Sequence, residues 1–318
     1  VSHQGLANKY RPKNLSQIVG QDHIVSAIRQ AVKRNAVPQT CLFCGDPGTG
    51  KTTTARILGG LVGALDSDIV EINAAEKRKL DDVRDLLARC GQAAFHPEST
   101  ARVYILDEAH QLTKRDGGDA QTALLKRLEE PPPNVYFFLC SSEPNGLLPA
   151  IRSRCTTYKT KPIQFEDQKK LILRVCGKED IKLAEIVVAR IVEVAQGSGR
   201  DALKLLDQVA GLGTEDEQLE MLNRADAQTE GINLCRLLIS PSARWDEVAK
   251  CLKSLEGDAE QVRRMILGYF SQVALGGGPL HRRAVLILRV FRDNYYDCGK
   301  GGLIADCFEV VHAGRQGK

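Results

Sequence analysis

Gly45-Asp46-Pro47-Gly48-Thr49-Gly50-Lys51-Thr52 is a complete G-x-x-x-x-G-K-[ST] segment, and it follows the apolar run 40–44 without a break. The glycines let successive backbone N–H groups turn toward one point. Lys51 brings a mobile positive charge to the outer phosphates of a nucleoside triphosphate, and the Thr52 hydroxyl supplies a ligand for Mg²⁺. Thr53, next on the same helix start, is grouped with them as nucleotide-contacting. A second cluster points to the same chemistry. Val103-Tyr104-Ile105-Leu106 is an apolar run that ends in two adjacent carboxylates, Asp107 and Glu108. Phosphoryl transfer uses such a pair: Asp107 holds the water shell of Mg²⁺ while Glu108 polarises an attacking water.

These residues act together only if their segments end at one edge, and the pattern around them supplies that edge. Short apolar runs, mostly rich in β-branched or aromatic residues, recur at 40–44, 69–72, 103–106, 135–140 and 156–158, with amphipathic stretches between them. This predicts a parallel α/β sheet whose strands are buried on both faces and whose carboxyl ends carry the ligand site. After Pro162 only helical periodicity remains, at 168–176, 183–196 and 200–210. The expected organisation is therefore an α/β nucleotide-binding domain over 1–163, a small helical domain over 164–213 and an all-helical domain over 214–318. Residues 211–217 read as a linker, and the glycine clusters 276–279 and 299–302 each read as a loop within the last domain.

Composition bounds the rest. At 318 residues, 43% hydrophobic and 26% charged, the chain is long enough for two or three cores. It contains no run of apolar residues long enough to span a bilayer, and residues 1–5 lack the build of a signal peptide, so a soluble, intracellular protein without membrane contact is expected. Most of the ten cysteines sit singly in apolar runs, where a thiol behaves as a small hydrophobe. Cys41 and Cys44 form a C-x-x-C, but on a strand residues three apart point to opposite faces, which prevents them from chelating one metal. The net charge of +4 is too small to indicate a nucleic-acid partner by itself.

The order Lys9-Tyr10-Arg11-Pro12, Val19-Gly20-Gln21, the phosphate loop, Asp107-Glu108-Ala109-His110, Leu124-Leu125-Lys126-Arg127-Leu128-Glu129-Glu130-Pro131-Pro132 and Ser153-Arg154-Cys155 resembles the AAA+ sliding-clamp loaders. Order and spacing are closest to the bacterial gamma/tau subunit, and the resemblance covers residues 9 to about 210. It implies a P-loop sheet domain, a helical lid and a C-terminal collar that assembles subunits. It implies an ATPase that uses ATP and Mg²⁺, stimulated by DNA and by the clamp. Its partners are the sliding clamp, primer–template DNA and other loader subunits in a ring or spiral, pentameric with copies of itself and at least one different subunit. The matching location is the cytoplasm of a bacterial or phage-infected cell, or a eukaryotic nucleus.

The resemblance also assigns roles. Arg154 is the arginine finger, acting in trans on the ATP of a neighbour, where such a group contributes about 10³ to 10⁵ in rate. An ordinary surface salt bridge is the other reading of that arginine. Ser142 falls at the sensor-1 position after the strand 135–140, though Ser-Glu-Pro also favours a turn. Arg200, in Gly197-Ser198-Gly199-Arg200-Asp201, matches the sensor-2 helix and is expected to contact the phosphates; a helix start capped by Ser198 or Asp201 would leave it solvated. Tyr10, Arg11, Ile18 and Val19 match the segments that line the adenine pocket.

Lys77, Lys79, Arg84 and Lys126 match positions that track duplex phosphates. Asp81, Asp82 and Asp85 lie among the first three, and a mixed charge run also reads as a solvated helix face. The clamp is expected to meet the surface around residues 114–119. One departure from the gamma/tau pattern stands out: 59–103 contains only Cys90, with no four-cysteine zinc module. That compact spacing resembles phage, archaeal or eukaryotic small loader subunits such as those of replication factor C, and a phage loader fits a chain of this length. A related AAA+ DNA translocase or branch-migration motor shares the same motifs. A non-hydrolysing structural subunit is the third reading, although the phosphate loop is intact.

Overall fold

The structure is a computed structural model that describes residues 4–74, 96–112, 120–255, 258–276 and 280–313. Lys77, Lys79, Arg84, Cys90 and the segment 114–119 lie outside these residues. The described part divides into two compact units, 1–215 and 216–318.

The first unit is built on five parallel strands, β1 (Thr40–Cys44), β2 (Ile69–Asn73), β3 (Arg102–Asp107), β4 (Val135–Ser141) and β5 (Thr156–Lys159), in the order β2-β3-β4-β1-β5. The order explains the burial. β1, β3 and β4 are interior and almost wholly buried, because helices cover both sheet faces. β2 and β5 are edges and alternate with solvent, so the expectation of burial on both faces holds only for the three central strands. Leu42 and Cys44 face one core with Leu106, Phe137 and Leu139, whereas Cys41 and Phe43 face the other with Ile105, Phe138 and Tyr158. The strand pleat thus separates Cys41 from Cys44, and no cluster of three or more His, Cys, Asp or Glu side chains placed around a metal site occurs among the described residues.

Three helices follow the sheet: Phe165–Glu179, Glu185–Ala195 and Gly199–Val209. Their apolar stripes pack on one another through Ile172, Val187, Ile191 and Leu206, all nearly inaccessible to solvent. Buried Gln21 joins the chain's first segment to the strand-to-lid connection, donating to Lys161 O at 2.6 Å and accepting from Lys161 N at 3.0 Å.

The second unit is helical: Glu215–Ile239, Trp245–Ser254, Ala259–Leu275, His281–Val290 and Gly299–Ala313. Two readings of the sequence are corrected here. The stretch 211–217 is not wholly linker, because a helix begins at Glu215. The glycines 299–302 form the first turn of a helix rather than a loop. A Cβ on Gly302 would stand 2.4 Å from Cys298 Sγ and 2.9 Å from the Tyr295 ring, so close packing, not a turn, demands glycine there. No described helix is long and apolar enough to cross a membrane.

A buried ion pair organises this unit. The Glu260 carboxylate accepts from Arg263 Nε and Nη2 at 2.8 and 2.7 Å, from Tyr295 N at 3.0 Å and from Arg264 Nε at 3.1 Å. Arg263 Nη1 in turn donates to Phe291 O and Arg292 O, closing the C-terminal end of the helix His281–Val290. The Arg263 bonds, helped by Tyr295 N–H and Arg264, push the Glu260 carboxyl down to about 2 from an ordinary value near 4.5. A carboxyl depressed in the fold stabilises it above the ordinary value and ceases to as pH falls through about 2. Melting curves of the full chain should therefore show Tm falling between those limits. Glu260→Gln should melt lower at neutral pH and respond less to acid, and an unchanged neutral Tm would contradict this account.

Candidate nucleotide site

The carboxyl ends of β1, β3 and β4 lie side by side, because the register pairs Cys44 with Ser141 and Leu106 with Leu139. From β1 the chain runs into the glycine loop and the helix Lys51–Leu61. Gly48 (φ +75°) and Gly50 (φ +97°) adopt left-handed backbone. At Gly48 the close approach matters as well, since a Cβ there would fall 2.0 Å from Ser198 Oγ. The loop is thereby packed against the start of the lid helix Gly199–Val209.

Lys51 is buried, and its Nζ donates to Gly45 O at 2.8 Å and Asp46 O at 3.0 Å. Burial lowers its pKa, opposed by the charges of Glu108 and Asp107. Thr52 Oγ1 donates to Asp107 Oδ2 at 3.1 Å. Burial raises the Asp107 pKa, and the Thr52 hydrogen bond works the other way. Glu108 follows with a left-handed backbone (φ +48°), a costly conformation for a residue with a side chain. Its Oε2 accepts from Ser142 Oγ at 2.8 Å.

A cavity of about 550 Å³ opens in front of these groups. Its lining includes Tyr10, Arg11, Val19, Pro47 through Thr54, Asp107, Glu108 and Arg200, which brings together most of the residues named from the sequence. Arg11 is anchored by donating from Nε to Thr53 Oγ1 at 3.0 Å, and burial lowers its pKa, with Arg56 and Arg200 adding repulsion. The Tyr10 hydroxyl bonds Glu179 on the lid. Ser198 Oγ accepts from Asp201 N at 3.1 Å as a cap, and Arg200 on the same turn lines the cavity.

Gly45 and Asp46 contribute carbonyls to Lys51 rather than cavity surface. Ser142 stands one layer back, behind Glu108. Arg154 is not in this cavity: it closes the helix Pro149–Arg154, donates to Glu129 Oε1 at 2.7 Å and is partly exposed. Lys126 is exposed on the helix Ala120–Glu129.

The helices Phe165–Glu179 and Gly199–Val209 contribute Arg174, Leu203, Lys204 and Asp207 as well, to which the sequence reading gave no role. Helical spacing contains the signal, since 203, 204 and 207 share a face with Arg200 and 174 follows Leu171 by one turn.

This fold and site define a P-loop protein of the AAA+ ATPase class, a fold shared with solved structures. The *Thermotoga maritima* RuvB Holliday junction branch migration motor superposes with a TM-score of 0.53 at 21% identity, over 85% of this chain and 82% of that one. Within the class the chain is similar in sequence to subunits of bacterial DNA polymerase III. A family model described as DNA polymerase III, delta subunit, matches residues 63–164. The gamma/tau subunit of *Mycoplasma genitalium* is 34% identical over 68% of this chain and 38% of its own length. The tau subunit of *Escherichia coli* is 31% identical over 87% of this chain and 47% of its own length. The chain thus spans less than half the length of these relatives.

Lys51→Ala removes the loop's cation. Loss of charge-assisted hydrogen bonds, about 1.5–3 kcal/mol each, should weaken ATP binding about tenfold to a hundredfold. Titration with a fluorescent ATP analogue measures it, and an unchanged Kd would exclude Lys51 from phosphate binding.

Proposed function

We infer that the chain is an ATPase subunit of a DNA sliding-clamp loader. ATP binding assembles a spiral that opens the clamp and grips primer–template DNA, and hydrolysis releases the closed clamp on the DNA. The observation that carries this reading is the separation of Arg154 from the chain's own cavity. The cavity gathers the cis groups, and the arginine of Ser-Arg-Cys stands apart on a partly exposed site, available to a neighbouring subunit. The proposed domain roles are sheet (1–163), lid (164–213) and collar (214–318), with the sliding clamp, primed DNA and further subunits as partners in the cytoplasm.

The roles follow from chemistry. Lys51 binds the outer phosphates, Arg200 contacts them from the lid, and Tyr10, Arg11 and Val19 flank the base. Glu108 accepts the proton of the attacking water, Ser142 holds Glu108, and Arg154 of one subunit neutralises charge on the phosphates bound by the next. Thr52 Oγ1 and Asp107 Oδ2, 3.1 Å apart, form an all-oxygen pair beside the phosphate loop. That donor set fits Mg²⁺, which takes one or two protein oxygens plus phosphates and waters, and a cation there would favour the buried Asp107 carboxylate. Mg²⁺ supplies neutralisation of phosphate charge when bound. Lys77, Lys79, Arg84 and Lys126 are assigned to duplex phosphates, and the clamp to the surface around 114–119.

Glu108→Gln should retain ATP binding while turnover falls about 10²- to 10⁴-fold. Lys51→Ala and Arg154→Ala chains, each inactive alone, should regain some turnover when mixed, because a subset of interfaces then pairs an intact pocket with an intact finger. No recovery at any ratio would refute action in trans. Lys126→Ala should lower DNA affinity and flatten the salt dependence by about one phosphate's worth, and an identical slope would remove Lys126 from the DNA surface. Turnover that needs both clamp and primed DNA for full stimulation separates a loader from a DNA motor.

A further inference from the structure

His110 lies two residues beyond Glu108, and its side chain is only 6% exposed. The strand β3 ends at Asp107, Glu108 takes its left-handed turn, and the short helix Ala109–Gln111 carries the imidazole back beneath the glutamate. His110 Nδ1 is 3.0 Å from Ser141 Oγ and 3.3 Å from Glu108 Oε2, while Nε2 is 3.0 Å from Gln111 Nε2. An amide nitrogen only donates, so Nε2 is the acceptor and the ring proton resides on Nδ1, facing Ser141 and Glu108.

We propose that His110, with its proton on Nδ1, is a positioning residue that together with Ser142 pins Glu108 through Oε2 and leaves Oε1 to meet the attacking water. This rests on the reading of Glu108 as the base. Ser142 donates to Oε2 from Oγ at 2.8 Å and from its backbone N at 3.4 Å, and His110 Nδ1, hydrogen-bonded to Ser141 Oγ at 3.0 Å, stands 3.3 Å from the same oxygen, within reach of sharing its proton. With one oxygen fixed, the carboxylate has a single orientation, and the lone pairs of Oε1 take the water's proton. The imidazole is itself held in place: a Cβ on Gly146 would be 3.0 Å from His110 Cβ, so the loop Pro144–Gly146 packs directly on it. His110 touches no reacting atom, and its contribution is orientation, where displacement by about 1 Å costs about a hundredfold in rate.

Asparagine and glutamine separate this role from simple packing. The amide nitrogen of Asn superposes on Nδ1 of histidine, whereas that of Gln reaches the place of Nε2. In ATPase assays on the full chain with its companion subunits, His110→Asn should keep kcat within about threefold of wild type. His110→Gln should lose about tenfold to a hundredfold in kcat, with KM and the Kd of a fluorescent ATP analogue unchanged. Equal kcat in the two variants, or a loss expressed in Kd alone, would overturn the assignment. Glu108→Gln, run in parallel, separates two failures. Wild-type turnover in Glu108→Gln defeats the ATPase reading itself, whereas a stalled Glu108→Gln beside a fully active His110→Gln defeats only the role of His110.

Discussion

Parallel pairing of β1, β3 and β4 in a fixed register is the constraint on which the nucleotide site depends. It places Cys44 beside Ser141 and Leu106 beside Leu139, so three strands end at one edge of the sheet and lead into the phosphate loop, the acidic pair and Ser142. A slip of one residue would exchange the two core faces, moving Leu42 and Leu106 from one cluster to the other and turning Asp107 away from Thr52. The register is therefore held by apolar burial on both faces, and the buried charges at the edge depend on it. Lys51 and Asp107 are each disfavoured in charged form by burial; the charges of Glu108 and Asp107 favour the Lys51 cation, and the Thr52 hydrogen bond favours the Asp107 carboxylate.

Much of this was legible in the amino-acid sequence because the signals are local. The phosphate loop requires particular residue types at fixed spacing, and interior strands need unbroken apolar runs. The lid helices show their period, and their observed limits, such as Glu185–Ala195 against the expected 183–196, differ only at the ends. Edge strands were misread as doubly buried because an apolar run does not reveal its neighbours. Glycine was misread at 299–302 because the same residue type serves a loop and a tight packing contact, and only the position of Tyr295 distinguishes them.

The less legible part of the site consists of groups that act through other groups. Nothing in the local sequence links Arg154 to Glu129 or His110 to Ser141, since those contacts are made by the fold. Some alternatives were not exclusive. Ser198 caps a helix while Arg200 on that helix faces the cavity, so a single turn has both a structural and a ligand-facing side. Arg154 likewise forms a surface ion pair. Such exposed pairs contribute about 0–1 kcal/mol, which leaves the guanidinium free to exchange its partner at little cost.

The stretch from Ser141 to Arg154 is short, and both its ends bear on chemistry. Its first residues hold Glu108 and His110, its middle is fastened by Gln121, which donates to Gly146 O and accepts from Leu148 N, and its last residue is the outward arginine. Fastened at its start, its middle and its end, this stretch ties the placement of Arg154 to that of Glu108. In the proposed spiral a faulty pocket would therefore not stay private: its misplacement would shift the arginine offered to the adjacent protomer, one step around the assembly from where the lesion arises.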